Sequence, residues 1–383
     1  MKIVFVSNYL NHHQIPFCEN MIRLCDEFYF VATQNVTTDS NYQLSATADY
    51  VVNYYDINQR QGAEEIIKTA DVAILGACSN EIINLRTAEG KLTFLYSERF
   101  FKKGTWRRFI PTTRKKIYNK VIKHNQDKNF YVLCASAFLP YDLSLLGFNT
   151  DKCYKWGYFP QVKYYEDVDK LINNKAENSI FWGGRFLDWK HPDDVIKVAA
   201  RLKQNGYKFT LNFAGDGEMM PQLRQMVSRY NLSDCVNLLG SMATEKVREY
   251  MEQSQIFLFT SDRREGWGAV LNESMNSACA VVASSAIGSV PYLINDNQNG
   301  VIYKSGDVND LYNKVVNLLD NKLKYQQYGK NAYNMLAEYW NAENVAEQFV
   351  NLATNLLNGQ EYSAEYGPCS KASVIKDNWY GVK

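Results

Sequence analysis

No apolar run in this 383-residue chain approaches the ~20 residues that a membrane-crossing helix needs, and the opening stretch Met1-Lys2-Ile3-Val4-Phe5-Val6-Ser7 is too short for a secretory leader. The expectation is a cytoplasmic protein. Excess charge of either sign is also missing. The 42 Lys and Arg stand against 41 Asp and Glu, a formal net charge of +1, so no nucleic-acid partner is expected from the total. Prolines number 8, and hydrophobic residues at 46% with charged residues at 22% describe a folded globular chain rather than a disordered one. None of the 8 cysteines forms a Cys-x-x-Cys pair, which excludes the usual zinc spacings and reads as reduced thiols. The 4 histidines include only one close pair, His12 and His13, whose adjacent side chains diverge. No metal or other cofactor is expected.

A chain of this length usually divides its core between two domains. Strand-like apolar runs at 1–6, 28–31, 72–75, 92–96 and 131–135 alternate with helical or polar stretches, and the pattern lapses into a charged, Asn-rich segment near 164–178. It restarts with strands at 179–182, 209–214, 236–239, 256–260 and 280–283, separated by amphipathic stretches. Such alternation predicts parallel sheets covered by helices. The expected organisation is an α/β chain with two Rossmann-like domains: 1–165, a linker at 166–178, 179–335, and a C-terminal helix and tail at 336–383 that can cross back to the first domain. Asp307 is placed to cap a helix whose apolar face includes Leu311, Val315 and Leu318.

Glycine is absent from the first turn, Ser7-Asn8-Tyr9-Leu10-Asn11-His12-His13, and Gly183-Gly184-Arg185 opens the second domain without a Gly-x-Gly-x-x-Gly fingerprint. A dinucleotide-dependent dehydrogenase is therefore not expected. The informative segment is Glu265-Gly266-Trp267-Gly268-Ala269-Val270-Leu271-Asn272-Glu273, two glutamates separated by seven residues across a glycine turn and a helix start. With a helix beginning at Ala269, Glu265 lies in the loop at its positive end and Glu273 about one turn inside. Taken alone, such a pair also reads as a helix cap and a solvated side chain.

With its neighbours this segment resembles the Glu, seven residues, Glu motif of family-four retaining glycosyltransferases. Gly183-Gly184-Arg185-Phe186 with Lys190, Ala214-Gly215-Asp216-Gly217, Leu239-Gly240-Ser241, Val281-Val282-Ala283-Ser284-Ser285 and Gly288-Ser289-Val290-Pro291-Tyr292 are similar to the family's other landmarks in order and spacing. Ser289 and Tyr292 replace the usual glycine and glutamate. The resemblance covers about 178–350 and implies two Rossmann-like domains facing across a cleft, the GT-B fold. It also implies a metal-independent, retaining transfer of a sugar from a nucleotide diphosphate, UDP ahead of GDP.

By the same resemblance Glu265 holds donor-sugar hydroxyls, Glu273 the ribose hydroxyls, and the backbone at Ser241 and Met242 edges the base. Arg185 and Lys190 supply positive charge to the leaving phosphate, although each also reads as ordinary surface charge. Gly184, Gly266, Trp267, Gly268, Gly288 and Ser289 are assigned to the donor side, the last two as a phosphate-binding turn. In the first half Glu98 stands where the family carries a histidine. Asn8, His12 and His13 are placed on the acceptor side, with plain surface positions as the alternative for the histidines. Asp167-Val168-Asp169 matches a metal clamp of another fold but falls in the expected linker, and is read as chance.

Between Arg99 and Lys123 the chain carries ten Lys or Arg and no Asp or Glu, interleaved with Phe100, Phe101, Trp106, Phe109 and Ile110. Basic residues gain ~1 kcal/mol each beside anionic lipid, and aromatic rings settle in the interface. The segment points to peripheral docking on the inner membrane face, where a lipid-linked acceptor is found; a solvated basic face is the plainer alternative. The expected activity is assembly of bacterial surface polysaccharide or glycolipid on a saccharide or lipid-linked acceptor. The rivals are a non-catalytic, nucleotide-binding partner subunit and a nucleotide-sugar epimerase.

Overall fold

The structure is a computed structural model, and it describes residues 1–35 and 48–381. The chain forms two compact units: Met1–Gln161 with Tyr339–Lys376, and Val162–Glu338 with the described residues from Asp377 onward.

The first unit is built on β1 (Lys2–Ser7), β2 (Glu27–Ala32), β3 (Val51–Asn53), β4 (Val72–Leu75), β5 (Leu92–Ser97), β6 (Phe130–Cys134) and β7 (Cys153–Lys155). They form one sheet in the order β3-β2-β1-β4-β5-β6-β7, every pair parallel. The second unit has β8 (Ser179–Gly183), β9 (Thr210–Ala214), β10 (Val236–Leu238), β11 (Ile256–Phe259), β12 (Ala280–Ser284) and β13 (Val301–Tyr303), ordered β10-β9-β8-β11-β12-β13 and also parallel. Each sheet reverses direction once, between β1 and β4 and between β8 and β11, the doubly wound topology whose switch point opens a crevice at the strand ends. Strands buried on both faces read as unbroken apolar runs, as in β4 and β11, all of whose residues are buried. β3, β7 and β13 have three residues each and leave no such trace in the sequence.

Tyr339–Lys376 belongs to the first unit for a visible reason. Phe349, on the helix Ala342–Leu357, packs against Phe17, Phe94 and Trp156 with ring centroids 6.2, 5.1 and 5.6 Å away. The polar tail that follows covers the edge of β7: Lys155 N donates to Ser370 O, Cys369 N to Lys155 O and Ala372 N to Cys153 O, at 2.7, 2.8 and 3.0 Å. An exposed sheet edge is thereby closed. The last described residues return to the second unit, where Trp379 Nε1 donates to Ser285 O and Tyr380 Oη to Ile302 O. Asp307 does cap its helix, accepting from the backbone of Asn309 and Asp310.

The linker expected at 166–178 is instead part of the second unit. Asp167 accepts from Lys170 N and caps the helix Val168–Asn173, whose Ile172 enters the second core. Lys175 is buried, and its ammonium donates to the carbonyls of Met251, Glu252 and Ser277 at 3.1, 3.0 and 2.8 Å, where two helices end. An Asn-rich, charged composition hides one apolar anchor and one buried cation. The first unit has a counterpart in Arg86, fully buried, which donates to the carbonyls of Ile67, Lys68, Ala70, Asp71 and Leu92.

Candidate active site and acceptor pocket

In the second unit the site grows from the ends of β8 and β11. After β11 the chain passes Thr260 and Ser261 and folds back tightly before the helix Val270–Asn276. Gly268 has φ +80°, and a Cβ there would lie 2.4 Å from the Phe259 ring and 3.2 Å from Glu265 Cγ, so only glycine lets the turn sit against the strand. Gly266 and Trp267 are buried; the indole donates to Asn272 Oδ1 at 2.9 Å and anchors the turn from within. The Trp267 side chain is thus part of the core.

This turn presents Glu265. Its Oε2 accepts from Lys190 Nζ at 2.5 Å and from Ser261 Oγ at 3.0 Å, and both members of the ion pair keep 12% of their side-chain surface exposed. Lys190 ends a short turn after β8, and its carbonyl is held by Thr260 Oγ1 at 2.6 Å. Gly184 has φ +151°, a conformation that favours glycine, and a Cβ on it would make only ordinary contact with Lys190 Cδ at 3.6 Å. Gly215 lies so close that its Cβ would fall 1.9 Å from Gly184 O, which explains a glycine after β9. The Arg185 side chain projects into solvent and makes no hydrogen bond or ion pair among the described residues.

Glu273 occupies the first turn of its helix, half-buried; burial raises its pKa, with Arg248 pulling the other way. Ser241 and Met242 follow Gly240 at the end of β10, the serine exposed and the methionine half-buried. The expected phosphate turn needs correction. Gly288 N donates to Glu265 O at 3.2 Å and Ser289 Oγ to Trp267 O at 2.6 Å, so these groups stitch the loop after β12 to the loop after β11. The helix behind them, Val290–Leu293, is a single turn with little dipole to offer.

A charged cluster not anticipated from the sequence supports the same loops. Asp262 lies 3.8 Å from His191 Nε2 and 2.9 Å from Arg264, which reaches on to Asp188 at 3.3 Å. Burial would raise the Asp262 pKa, but His191 and Arg264 overcome it and hold the carboxyl at about 2. The signal was the run Ser261-Asp262-Arg263-Arg264, although its partners are about seventy residues away.

The first unit has its own concavity, a pocket of about 430 Å³ at the ends of β1, β4 and β5, on that sheet's switch point. Asn8, His13 and Glu98, all singled out in the sequence, line it together with Gln14, Lys102, Lys120 and Tyr158. His12 does not line it; it packs edge-on against His13, centroids 4.9 Å apart. His13 stacks on Tyr158 at 4.2 Å, and burial, then repulsion from His12, lowers its pKa to about 3. Glu98 accepts from Tyr158 Oη at 2.7 Å on one oxygen and pairs with Lys102 on the other, so neither oxygen stands ready as a base in this state.

The basic stretch 99–123 is not one surface. Arg99 is buried against Asp142 at 2.9 Å, Phe101 is buried, and Lys102 is held by Glu98. The exposed remainder gathers on the turn Thr105–Phe109 and the helix Pro111–Lys120, where Trp106 and Phe109 keep 59% and 72% of their surface in solvent beside Arg114, Lys115 and Lys116. Among the described residues no three His, Cys, Asp or Glu side chains converge as metal ligands, and no helix is long and apolar enough to cross a membrane.

Two parallel doubly wound sheets of this order define a chain of the GT-B glycosyltransferase fold class. HepE of Anabaena, solved with UDP, matches over 92% of this chain and 100% of its own with a TM-score of 0.70, at 15% identity. Residues 165–335, within the second unit, match the family model of glycosyl transferases group 1. Among curated relatives, the amylovoran biosynthesis glycosyltransferase AmsK of Erwinia amylovora is 27% identical over 243 residues, 62% of this chain and 57% of its own length. The poly(ribitol-phosphate) alpha-N-acetylglucosaminyltransferase of Staphylococcus aureus is 28% identical over 170 residues, 44% of this chain and 34% of its own. The chain thus spans between 34% and 57% of the length of these two relatives.

Proposed function

We propose that the chain is a retaining glycosyltransferase that moves a sugar from a nucleotide diphosphate, UDP ahead of GDP, to a saccharide or lipid-linked acceptor in bacterial surface polysaccharide or glycolipid synthesis. The observation that carries this reading is the Lys190–Glu265 pair at the switch point of a group 1 unit, beside the unengaged Arg185. Cleaving the donor develops negative charge on the leaving diphosphate, and fixed cations aimed there lower the barrier without a bound metal. Arg185 and Lys190 take that role. As the diphosphate draws Lys190 away, Glu265 is released to accept hydrogen bonds from donor-sugar hydroxyls, while Glu273 receives the ribose. The bond from the anomeric carbon to the phosphate oxygen breaks, the acceptor oxygen bonds to that carbon on the same face, and its proton passes to the departing phosphate.

Similar proteins favour this direction: HepE and a staphylococcal TarM variant were solved with UDP, and AmsK is named for amylovoran synthesis. The exposed Trp106 and Phe109 beside Arg114, Lys115 and Lys116 favour docking on an anionic membrane face.

Thermal unfolding with millimolar UDP, GDP and NAD, without divalent metal, tests the reading. A ligand at a hundredfold excess over its dissociation constant adds ~2.7 kcal/mol of apparent stability. The expected result is a shift with UDP that Glu273→Ala weakens, followed by a product of retained anomeric configuration. No shift with UDP or GDP, or an inverted product, overturns it.

A further inference from the structure

We infer that the pocket at the ends of β1, β4 and β5 is a subsite for a saccharide that carries an anionic substituent, a phosphate ester or a uronate carboxylate, with Lys120 as its counter-charge. Naming that saccharide the acceptor rests on the transferase reading above; the anion chemistry of the pocket stands on the first unit by itself.

The charges lining the pocket are Glu98, Arg99, Lys102 and Lys120. Arg99 is cancelled by Asp142, which it grips through Nη2 at 2.9 Å and Nε at 3.4 Å. Glu98 and Lys102 cancel each other. His13 stays neutral at ordinary pH, its pKa lowered to about 3 by burial and then by His12. What remains is Lys120, at the end of the helix Pro111–Lys120, half-buried and without a hydrogen bond or ion pair among the described residues. Burial lowers its pKa, Cys78 relieves this in part, and the like charge of Lys116 adds to the lowering, the mark of an ammonium held out of water without compensation. Such a charge is costly to hold, and a ligand anion offsets the cost.

The rest of the lining suits a sugar. The side-chain oxygens of Asn11 and Gln14 and the Nδ1 of His13 are buried and have no hydrogen-bond partner. Buried polar atoms nearly always have partners in finished structures, so these three await hydroxyl groups. The parallel His13 and Tyr158 rings add a flat wall. Among the described residues the carboxylate facing the pocket is Glu98, and its two oxygens are already engaged by Tyr158 and Lys102, which offsets its repulsion of an anion.

The test is calorimetric titration of the full chain, with UDP present to fill the second unit, using glycerol 3-phosphate, glucuronate and glucose as probes. The expected result is that one or both anionic probes bind about tenfold more tightly than glucose, ~1.4 kcal/mol. Lys120→Gln should erase that preference, and Lys120→Arg should keep it, which separates loss of charge from loss of fold. Whichever anion prevails names the substituent. Equal binding of glucose and both anions overturns the inference, as does a Lys120→Gln protein that keeps the preference. Loss in Arg185→Gln with retention in Lys120→Gln would place the anion in the second unit and also overturn it. If UDP fails to bind while the preference persists, the transferase reading falls and the subsite stands; if UDP binds and no preference exists, the reverse holds.

Discussion

At the ends of β8 and β11 the charged groups hold one another: Lys190 with Glu265, Asp262 with His191 and Arg264, and Arg264 with Asp188, while the exposed Arg185 side chain is unengaged among the described residues. At the ends of β1, β4 and β5 the same topology leaves Lys120 without a counter-charge and three polar atoms without hydrogen bonds. The two units share strand order and switch point, so the fold does not cause the difference. A site closed by its own ion pairs admits only a ligand that replaces them, which favours a multiply charged diphosphate. A site with one charge left over waits for a smaller anion and for hydroxyl groups.

The comparison breaks most severely where each unit's own support is removed. Arg86→Met leaves five carbonyls of the first unit short of their donor, and Lys175→Met leaves three in the second; each should destabilise its unit by ~3–5 kcal/mol. Amide hydrogen exchange reads this locally: Arg86→Met should raise exchange in β4 and β5, and Lys175→Met in β11 and β12. Equal loss of protection in both units from either variant would show that they do not unfold separately. Next in size, Lys190→Ala should lower the turnover of sugar transfer by about a hundred- to a thousandfold, since it removes a cation from the developing phosphate charge. Lys120→Ala should act instead on the affinity for an anionic acceptor, so a steady-state split between kcat and KM keeps the two sites apart.

The second unit was far more legible in the sequence than the first, for a physical reason. A turn pressed against a strand demands glycine, so Gly268 and Gly215 mark the backbone itself, and Glu265 follows at a fixed distance along the chain. The pocket of the first unit is assembled from short segments that follow β1, β4 and β5, together with Lys120 and Tyr158 from elsewhere in the chain, and no local spacing records that assembly. Composition misled in two places. Residues 166–178 looked solvated but carry buried Ile172 and Lys175, and the stretch 99–123 looked like one basic face although Arg99 and Phe101 are core. Trp267 and Ser289 were assigned to the donor because of their neighbours, yet their polar atoms bind the protein itself.

Two smaller changes sharpen the contrast. Gly268→Ala forces a Cβ to within 2.4 Å of Phe259 at positive φ and should destabilise the second unit by ~1–3 kcal/mol, with UDP affinity falling and glycerol 3-phosphate binding in the first unit unchanged; calorimetry on one sample measures both.

The smallest effect is titration of the His191 cluster. Asp262 at 3.8 Å raises the His191 pKa, burial lowers it, and Asp194 and Asp193 add to the rise. A histidine whose folded pKa is raised contributes stability that is complete below its unfolded value of ~6.5 and is lost as pH rises through the folded value. Asp262, held at about 2, contributes in the opposite sense: its share is present above ~3.9 and lost as pH falls towards 2. Between pH 5 and 8 the lowered pKa values of His13, His12 and His124 add stability as pH rises towards ~6.5, so the His191 share is read as the difference in melting midpoint between the chain and His191→Gln, which should shrink as pH rises past ~6.5. Because the ring is one-third exposed, screening should limit the difference to about a degree or two. A difference that grows as pH rises past ~6.5 would mean that His191 is better held neutral, and that the charges at the ends of β8 and β11 are not balanced as the ion pairs indicate.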